Sequence, residues 1–184
     1  MTMQSLSPAA ARHLWVGLMT LASTVTTLAL ACATPFPALA AIAALHVRRQ
    51  EGIILMLAAW AVSQGVGYCL LGYEMTGENS VWAVTMALAA IAALLGADAV
   101  IGRLSGAHAA LRLAAAYGAA FVAFKLVVLG GAVLLDSGWA AFALDILARQ
   151  FVRYAMILAG LLLLQHLVDR SGLLRGAARG QAVA

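Results

Sequence analysis

Five long and nearly uncharged runs of apolar residues constrain this chain more than any other feature. They occupy 14–33, 53–73, 81–101, 113–135 and 139–168, and a helix needs about 20 apolar residues to cross the hydrocarbon core of a bilayer. Only 10% of the 184 residues are charged, whereas a soluble domain carries about 25%. Because the chain lacks the polar residues that would cover a soluble core, the runs predict transmembrane helices.

A sixth apolar run, 37–47, is shorter than one crossing and follows the break Thr34-Pro35-Phe36-Pro37. Prolines end a helix and force the preceding residue into an extended conformation, so we expect a short or partly re-entrant helix here. No linker or low-complexity segment divides the chain. The sequence therefore predicts an all-α polytopic membrane protein, with about six transmembrane helices in a compact bundle and a single domain over 1–184.

Arginines occur in every second connector, and this alternation predicts the orientation. The connectors 34–37, 74–80 and 136–138 contain neither lysine nor arginine. Basic residues concentrate on the cytoplasmic side of membrane proteins, so we expect both termini in the cytoplasm and a bacterial-type inner (plasma) membrane. Arg12 precedes span one, and Arg48 and Arg49 lie between spans two and three. Arg103 and Arg112 lie between spans four and five, and three arginines follow span six: Arg170, Arg175 and Arg179.

The first span has a competing interpretation as a signal peptide. Arg12, the apolar run and Ala31-Cys32-Ala33 together imitate a signal sequence with an A-x-A cleavage site. The run is longer than a usual signal-peptide core, and its charged flank is weak. We therefore favour a retained span, with cleavage left as the alternative.

Ionisable residues within the last two spans are the strongest functional signal. Lys125 lies near the middle of span five, while Asp145, Arg149 and Arg153 follow one another at i, i+4 spacing and share a helical face. At about 1.5 Å per residue, Lys125 and Arg149 lie roughly 15 Å from the outer ends of their spans. Charges at this depth pair with one another or face a water-filled cavity. We predict a pocket for an anionic or amide-rich solute; the alternatives are an internal ion-pair network and a surface segment before span six begins.

Two residues of span three complete the predicted site. Gln64 lies near mid-membrane and could donate a hydrogen bond to a solute, although helix–helix bonding is an equally ordinary role. Cys69 lies toward the outer end of the span, where a thiolate could bind a soft metal. An isolated cysteine on an apolar face is more often inert packing.

The sequence gives weaker evidence for other functions. His13, His46, His108 and His166 all map to cytoplasmic ends of spans, so one haem near that surface is an alternative, whereas two stacked haems are not supported. We predict no bound cofactor. There is no broad cationic face for nucleic acid, and the chain lacks nucleotide-binding and hydrolase motifs. We expect no enzymatic activity, and any ATP hydrolysis would have to come from another chain.

In size and topology the chain resembles the substrate-binding S components of energy-coupling factor (ECF) vitamin transporters. In that family an alanine-rich A-x-x-x-A face of the first helix docks a transmembrane coupling subunit; Ala29 and Ala33 match it, as do Ala40 and Ala44. Cys69 matches the cysteine that coordinates cobalt in the solitary cobalamin-specific S components. The resemblance implies vitamin or cobalamin uptake, with transmembrane coupling and ATPase subunits as partners.

The leading hypothesis is a small membrane transport component that binds a micronutrient from the outer side and moves it inward, with or without a partner ATPase. The bilayer and a small-molecule solute are its expected partners. A membrane redox or haem-binding subunit is the second hypothesis. A non-catalytic membrane assembly protein is the third.

Overall fold

The computed structural model describes residues 16–21 and 35–171, and this part of the chain is all-α. Residues 16–21 are helical. The later elements, in chain order, are α1 (Phe36–His46), α2 (Arg49–Gly65), a π-helical turn (Val66–Leu70), α3 (Gly77–Arg103), α4 (Ala109–Leu135), a 3-10 turn (Trp139–Phe142) and α5 (Leu144–Ser171). The predicted first span, 14–33, lies largely outside the described residues.

Four helical segments are long and apolar enough to cross a membrane, so the prediction of an all-α, multi-pass membrane protein is confirmed at that level. They are Arg49–Leu70, Gly77–Arg103, Ala109–Leu135 and Leu144–Leu167. The last apolar run, 139–168, does not form one continuous helix. Just before it, Asp136 and Gly138 both adopt left-handed backbone angles, with φ of 45° and 77°. The 3-10 turn follows them, and α5 begins only at Leu144.

The two faces of α4 show why lipid must be its solvent. Val122, Leu126 and Val133 recur on one face and are each more than half exposed. The opposite face, including Ala120 and Phe124, is buried in the bundle. Both faces are apolar, as expected where acyl chains replace water around a helix.

Helix α1 is short but lies at the centre of the bundle. Its 11 residues extend about 16 Å, roughly half of the 30 Å hydrocarbon core. Every residue from Phe36 to Ala43 is buried, and α1 contacts α2, α3, α4 and α5. Its alanines let four helices approach closely, so α1 is a half-length helix enclosed by protein.

Small residues bring α3 and α4 together as an antiparallel pair. A Cβ on Gly96 would lie 3.0 Å from the Cβ of Ala123, and one on Gly131 would lie 2.6 Å from Cγ2 of Thr85. Helix pairs in membranes use such positions to bring their backbones close. This pair forms the most extensive helix–helix contact of the described residues.

Charged residues divide the bundle into two ends. The arginine end carries Arg48, Arg49 and Arg103, and there Nε of Arg49 donates to Oδ2 of Asp98 at 3.0 Å, which joins α2 to α3. The acidic end comprises the connectors 71–76 and 136–143 with the adjoining helix ends, and it carries Glu74, Glu78, Asp136 and Asp145. The ends reproduce the alternation seen in the sequence.

Candidate functional site

A cavity of about 320 Å³ lies toward the acidic end, where all five helices contribute to its wall. Six of its sixteen lining residues are aromatic: Phe36, Tyr68, Tyr73, Trp82, Phe124 and Tyr154. Five further side chains add polar groups: Ser63, Gln64, Asn79, Lys125 and Gln150. A wall of mainly apolar and aromatic residues with a few convergent polar groups is the usual composition of a small-molecule site.

Lys125 supplies the positive charge of the cavity. It lies ten residues before the end of α4, about 15 Å along the helix. Its Nζ donates to the carbonyl oxygen of Ala141 at 3.3 Å and lies 5.3 Å from the ring centre of Phe142 and 6.0 Å from that of Phe121. A carbonyl and two ring faces therefore hold the ammonium group, and these partners attract a cation without neutralising it.

The π-helical turn at the end of α2 shapes one wall of the cavity. It places Gly67 and Tyr68 in the lining, and Gly67 leaves room for the ring of Tyr73: a Cβ there would lie 2.9 Å from Cδ2 of that ring. The backbone N–H of Tyr73 donates to the carbonyl of Gly67 at 3.1 Å. The rings of Tyr68 and Tyr73 meet edge to face, with centres 6.5 Å apart. Such turns often accompany functional sites because they change the direction of side chains within a helix.

Capping interactions at the start of α3 fix the opposite side of this wall. Thr76 caps the helix by accepting from the N–H of Asn79 at 3.1 Å, and the amide of Asn79 donates to the carbonyl of Glu74 at 2.8 Å. The hydroxyl of Tyr68 donates to the carbonyl of Asn79 at 3.2 Å. The connector 71–76 is therefore tied to both helices that flank the cavity.

Trp82 joins α3 to the second connector of the acidic end. Its indole N–H donates to Ser137 at 3.3 Å, and the hydroxyl of Ser137 donates to Glu78 at 2.9 Å. The backbone of Gly138 packs closely against the indole, because a Cβ at this position would lie 2.9 Å from Cζ2 of Trp82. Its positive φ of 77° also favours glycine, because side chains disfavour that region. These contacts bring residues 139–142 near Lys125.

Helix α5 closes the remaining side through Gln150 and Tyr154. Aromatic contacts rather than close backbone packing attach it to α4: the ring of Phe151 lies 4.9 Å from that of Tyr117 and 5.1 Å from that of Phe121. The hydroxyl of Tyr117 also donates to the carbonyl of Phe151 at 2.5 Å. Large side chains hold the two helices apart and leave space between them.

The structure separates the residues predicted for the site. Lys125 and Gln64 line the cavity, whereas Asp145 and Arg149 do not; these two pair with each other at 3.4 Å, with 68% and 65% of their side chains exposed. Arg153 is half-buried and is not part of the lining.

The other predicted positions lie away from the cavity or beyond the described residues. Cys69 is exposed and does not belong to the lining. Ala29 and Ala33 fall outside the described residues, and Ala40 is fully buried within the bundle. His108 and His166 are exposed, while Nδ1 of His46 is bonded to the carbonyl of Ile42. The part of the chain that the structure describes contains no cluster of three or more His, Cys, Asp or Glu side chains able to hold a metal ion.

Most of the lining was not singled out from the sequence. Nothing in the sequence distinguishes Phe36, Phe124 and Tyr154 from ordinary core residues. Gln150 is uncharged and adjoins Arg149, whose charge is the stronger signal in the sequence. Asn79 lies two residues before the predicted span 81–101, and its N–H donates to the helix cap Thr76. Its position in the cavity depends on packing between helices distant in sequence.

Comparisons with protein-family models, curated proteins and solved structures find no match to this chain. The geometry of the cavity is therefore the basis for a functional assignment.

Proposed function

We propose that this chain is a small integral membrane transport component that binds a compact, vitamin-sized solute in the aromatic cavity and moves it across the membrane. The observation that carries the proposal is the cavity itself, in which six aromatic and five polar side chains from all five helices converge. Helices that only pack together would fill this space with apolar side chains. Binding here needs no covalent chemistry.

The size of the cavity limits the solute. At about 320 Å³, it lies at the lower end of the range for small-molecule pockets, roughly 300–1,000 Å³. A corrinoid is far larger than this space, and Cys69, the proposed cobalt ligand, is not in the lining. The cavity therefore favours a compact vitamin-like molecule over a cobalamin.

The distribution of arginine supports capture of the solute from the outer side. With the arginine end in the cytoplasm, as the positive-inside rule requires, the cavity lies in the outer half of the membrane. The connectors 71–76 and 136–143 then separate it from the outer solution, and the solute enters past Tyr73 and Trp82. Inward movement would use a coupling subunit with an ATPase, as the resemblance to ECF S components implies, or rocking of the bundle alone.

A cavity-filling substitution tests this proposal. Met86 lines the cavity, whereas Val84 lies on the exposed face of the same helix. We expect a small molecule to copurify with the wild-type protein and with Val84→Trp, and to be lost from Met86→Trp because the indole occupies its space. Mass spectrometry of the extracted solute measures both. Equal retention in the two variants would contradict a solute site in this cavity.

A further inference from the structure

Lys125 is the one charged side chain among the described residues that line the cavity. Its Nζ contacts the carbonyl oxygen of Ala141 and the rings of Phe121 and Phe142, and no carboxylate belongs to the described lining. An uncompensated cation inside a membrane protein carries a large desolvation cost. The cavity thus holds one positive charge that these neighbours do not neutralise.

Three carboxylates of the acidic end have other partners. Asp145, which the sequence offered as the counter-ion for a membrane-embedded cation, pairs with Arg149 on an exposed helix face. Glu78 accepts from Ser137, and Asp136 accepts from the indole N–H of Trp139. None of these three side chains belongs to the lining.

Other groups around the cavity also favour a negative charge. Helix α1 begins at Phe36, a lining residue, so the positive end of its dipole adjoins the cavity. The side-chain amides of Gln64, Asn79 and Gln150 provide N–H donors. The charge of Lys125, the helix dipole and the amide donors all attract the same kind of group.

We propose that the cavity selects a solute with one anionic group, a carboxylate, which binds Nζ of Lys125 while the rest of the molecule lies among the aromatic rings. This inference deepens the proposed function and rests on it. A carboxylate matches the single unit charge of Lys125. A phosphate dianion would leave one negative charge uncompensated, and the described residues of the lining include no guanidinium group to receive it.

Charge-selective quenching of tryptophan fluorescence tests the inference without knowledge of the solute. Trp82 lies in the cavity wall with Lys125, and its emission is identified as the component lost in Trp82→Phe. Iodide, caesium and acrylamide serve as anionic, cationic and neutral quenchers of the detergent-solubilised protein at constant ionic strength. Each quenching constant is divided by that of free N-acetyltryptophanamide, and we expect this normalised constant to be larger for iodide than for caesium at Trp82. In Lys125→Gln the quenching constant of iodide falls by about fivefold, the factor for one unit charge about 4 Å away in a water-like dielectric, and that of caesium rises.

Two variants distinguish the cavity charge from surface charge. Lys125→Arg keeps the positive charge and is expected to keep the iodide preference. Arg149→Gln removes an exposed cation at the same end of the bundle and is expected to leave it unchanged. Equal normalised quenching by iodide and caesium in the wild type, or an iodide preference that persists in Lys125→Gln, would overturn the inference.

The two proposals fail in different ways. If Met86→Trp abolishes solute retention but the cavity shows no iodide preference, the solute site stands and its anion selectivity is wrong. If the iodide preference depends on Lys125 but Met86→Trp retains the solute as the wild type does, the proposed function is wrong.

Discussion

Replacing Gly131 by alanine is expected to destabilise the folded protein by about 1–3 kcal/mol, the usual range for overpacking a well-packed interior. Alanine normally favours a helix over glycine by about 1 kcal/mol. Here the new Cβ would lie 2.6 Å from Cγ2 of Thr85 and 3.3 Å from Cζ3 of Trp82. Thr85 is buried, and its hydroxyl donates to the carbonyl of Val81 at 2.8 Å. The side chain therefore cannot rotate away without losing that bond.

The neighbouring glycine provides a matched control for this prediction. A Cβ on Gly130 meets no atom of the described residues within 4 Å, so Gly130→Ala is expected to be neutral or to stabilise the helix by up to about 1 kcal/mol. Unfolding of both variants in detergent, compared with the wild type, measures the difference. Equal free energies of unfolding for the two variants would show that α3 and α4 are not in close contact at Gly131 and Thr85.

A second substitution identifies Thr85 as the cause. Thr85→Ser removes Cγ2 but keeps the hydroxyl, and it should partly restore the stability of Gly131→Ala. Residues in contact commonly show coupling free energies of about 0.5–3 kcal/mol in a double-mutant cycle. A coupling near zero would assign the loss to another neighbour, of which Trp82 is the nearest candidate.

The helical architecture could be predicted from the sequence because the hydrocarbon core of a bilayer offers no water to bond backbone groups. Backbone groups in a bilayer must bond internally, so each long apolar run becomes a helix, and the proline break before 37–47 correctly predicted a short one. The continuity of the last run could not be predicted as well. A 3-10 turn, Trp139–Phe142, interrupts it before α5 begins at Leu144, although its composition stays apolar.

The rotation of each helix was much harder to predict than its position. In a soluble protein the polar face of a helix marks the outside, but α4 is apolar on the lipid side and on the buried side. From the sequence, the similar depth of Lys125 and Arg149 therefore predicts one pocket for both. The structure directs only Lys125 into the cavity, and Arg149 pairs with Asp145 one turn earlier in its own helix. That pair has the ordinary i, i+4 spacing of a helical ion pair.

Replacing Gly67 by alanine is expected to weaken solute retention by about tenfold while the fold persists. The new Cβ would lie 2.9 Å from Cδ2 of Tyr73. Since Tyr73 is on a connector and 50% exposed, its ring moves outward more readily than the backbone. The cavity then loses part of its wall and the edge-to-face contact between Tyr73 and Tyr68. An aromatic pair contributes about 0.5–1.5 kcal/mol, and about 1.4 kcal/mol corresponds to a tenfold change in affinity.

Gly65 provides the control for this prediction, because a Cβ there meets no atom of the described residues within 4 Å. Gly65→Ala should retain the copurifying solute as the wild type does, whereas Gly67→Ala should release it about tenfold more readily during dialysis in detergent. In a Tyr73→Ala background the Gly67 substitution should have no further effect, since the ring that it displaces is already missing. An additional loss in that background would place the effect of Gly67 in the helix backbone rather than in the aromatic wall. Retention by Gly67→Ala equal to that of Gly65→Ala would show that Tyr73 does not enclose the solute.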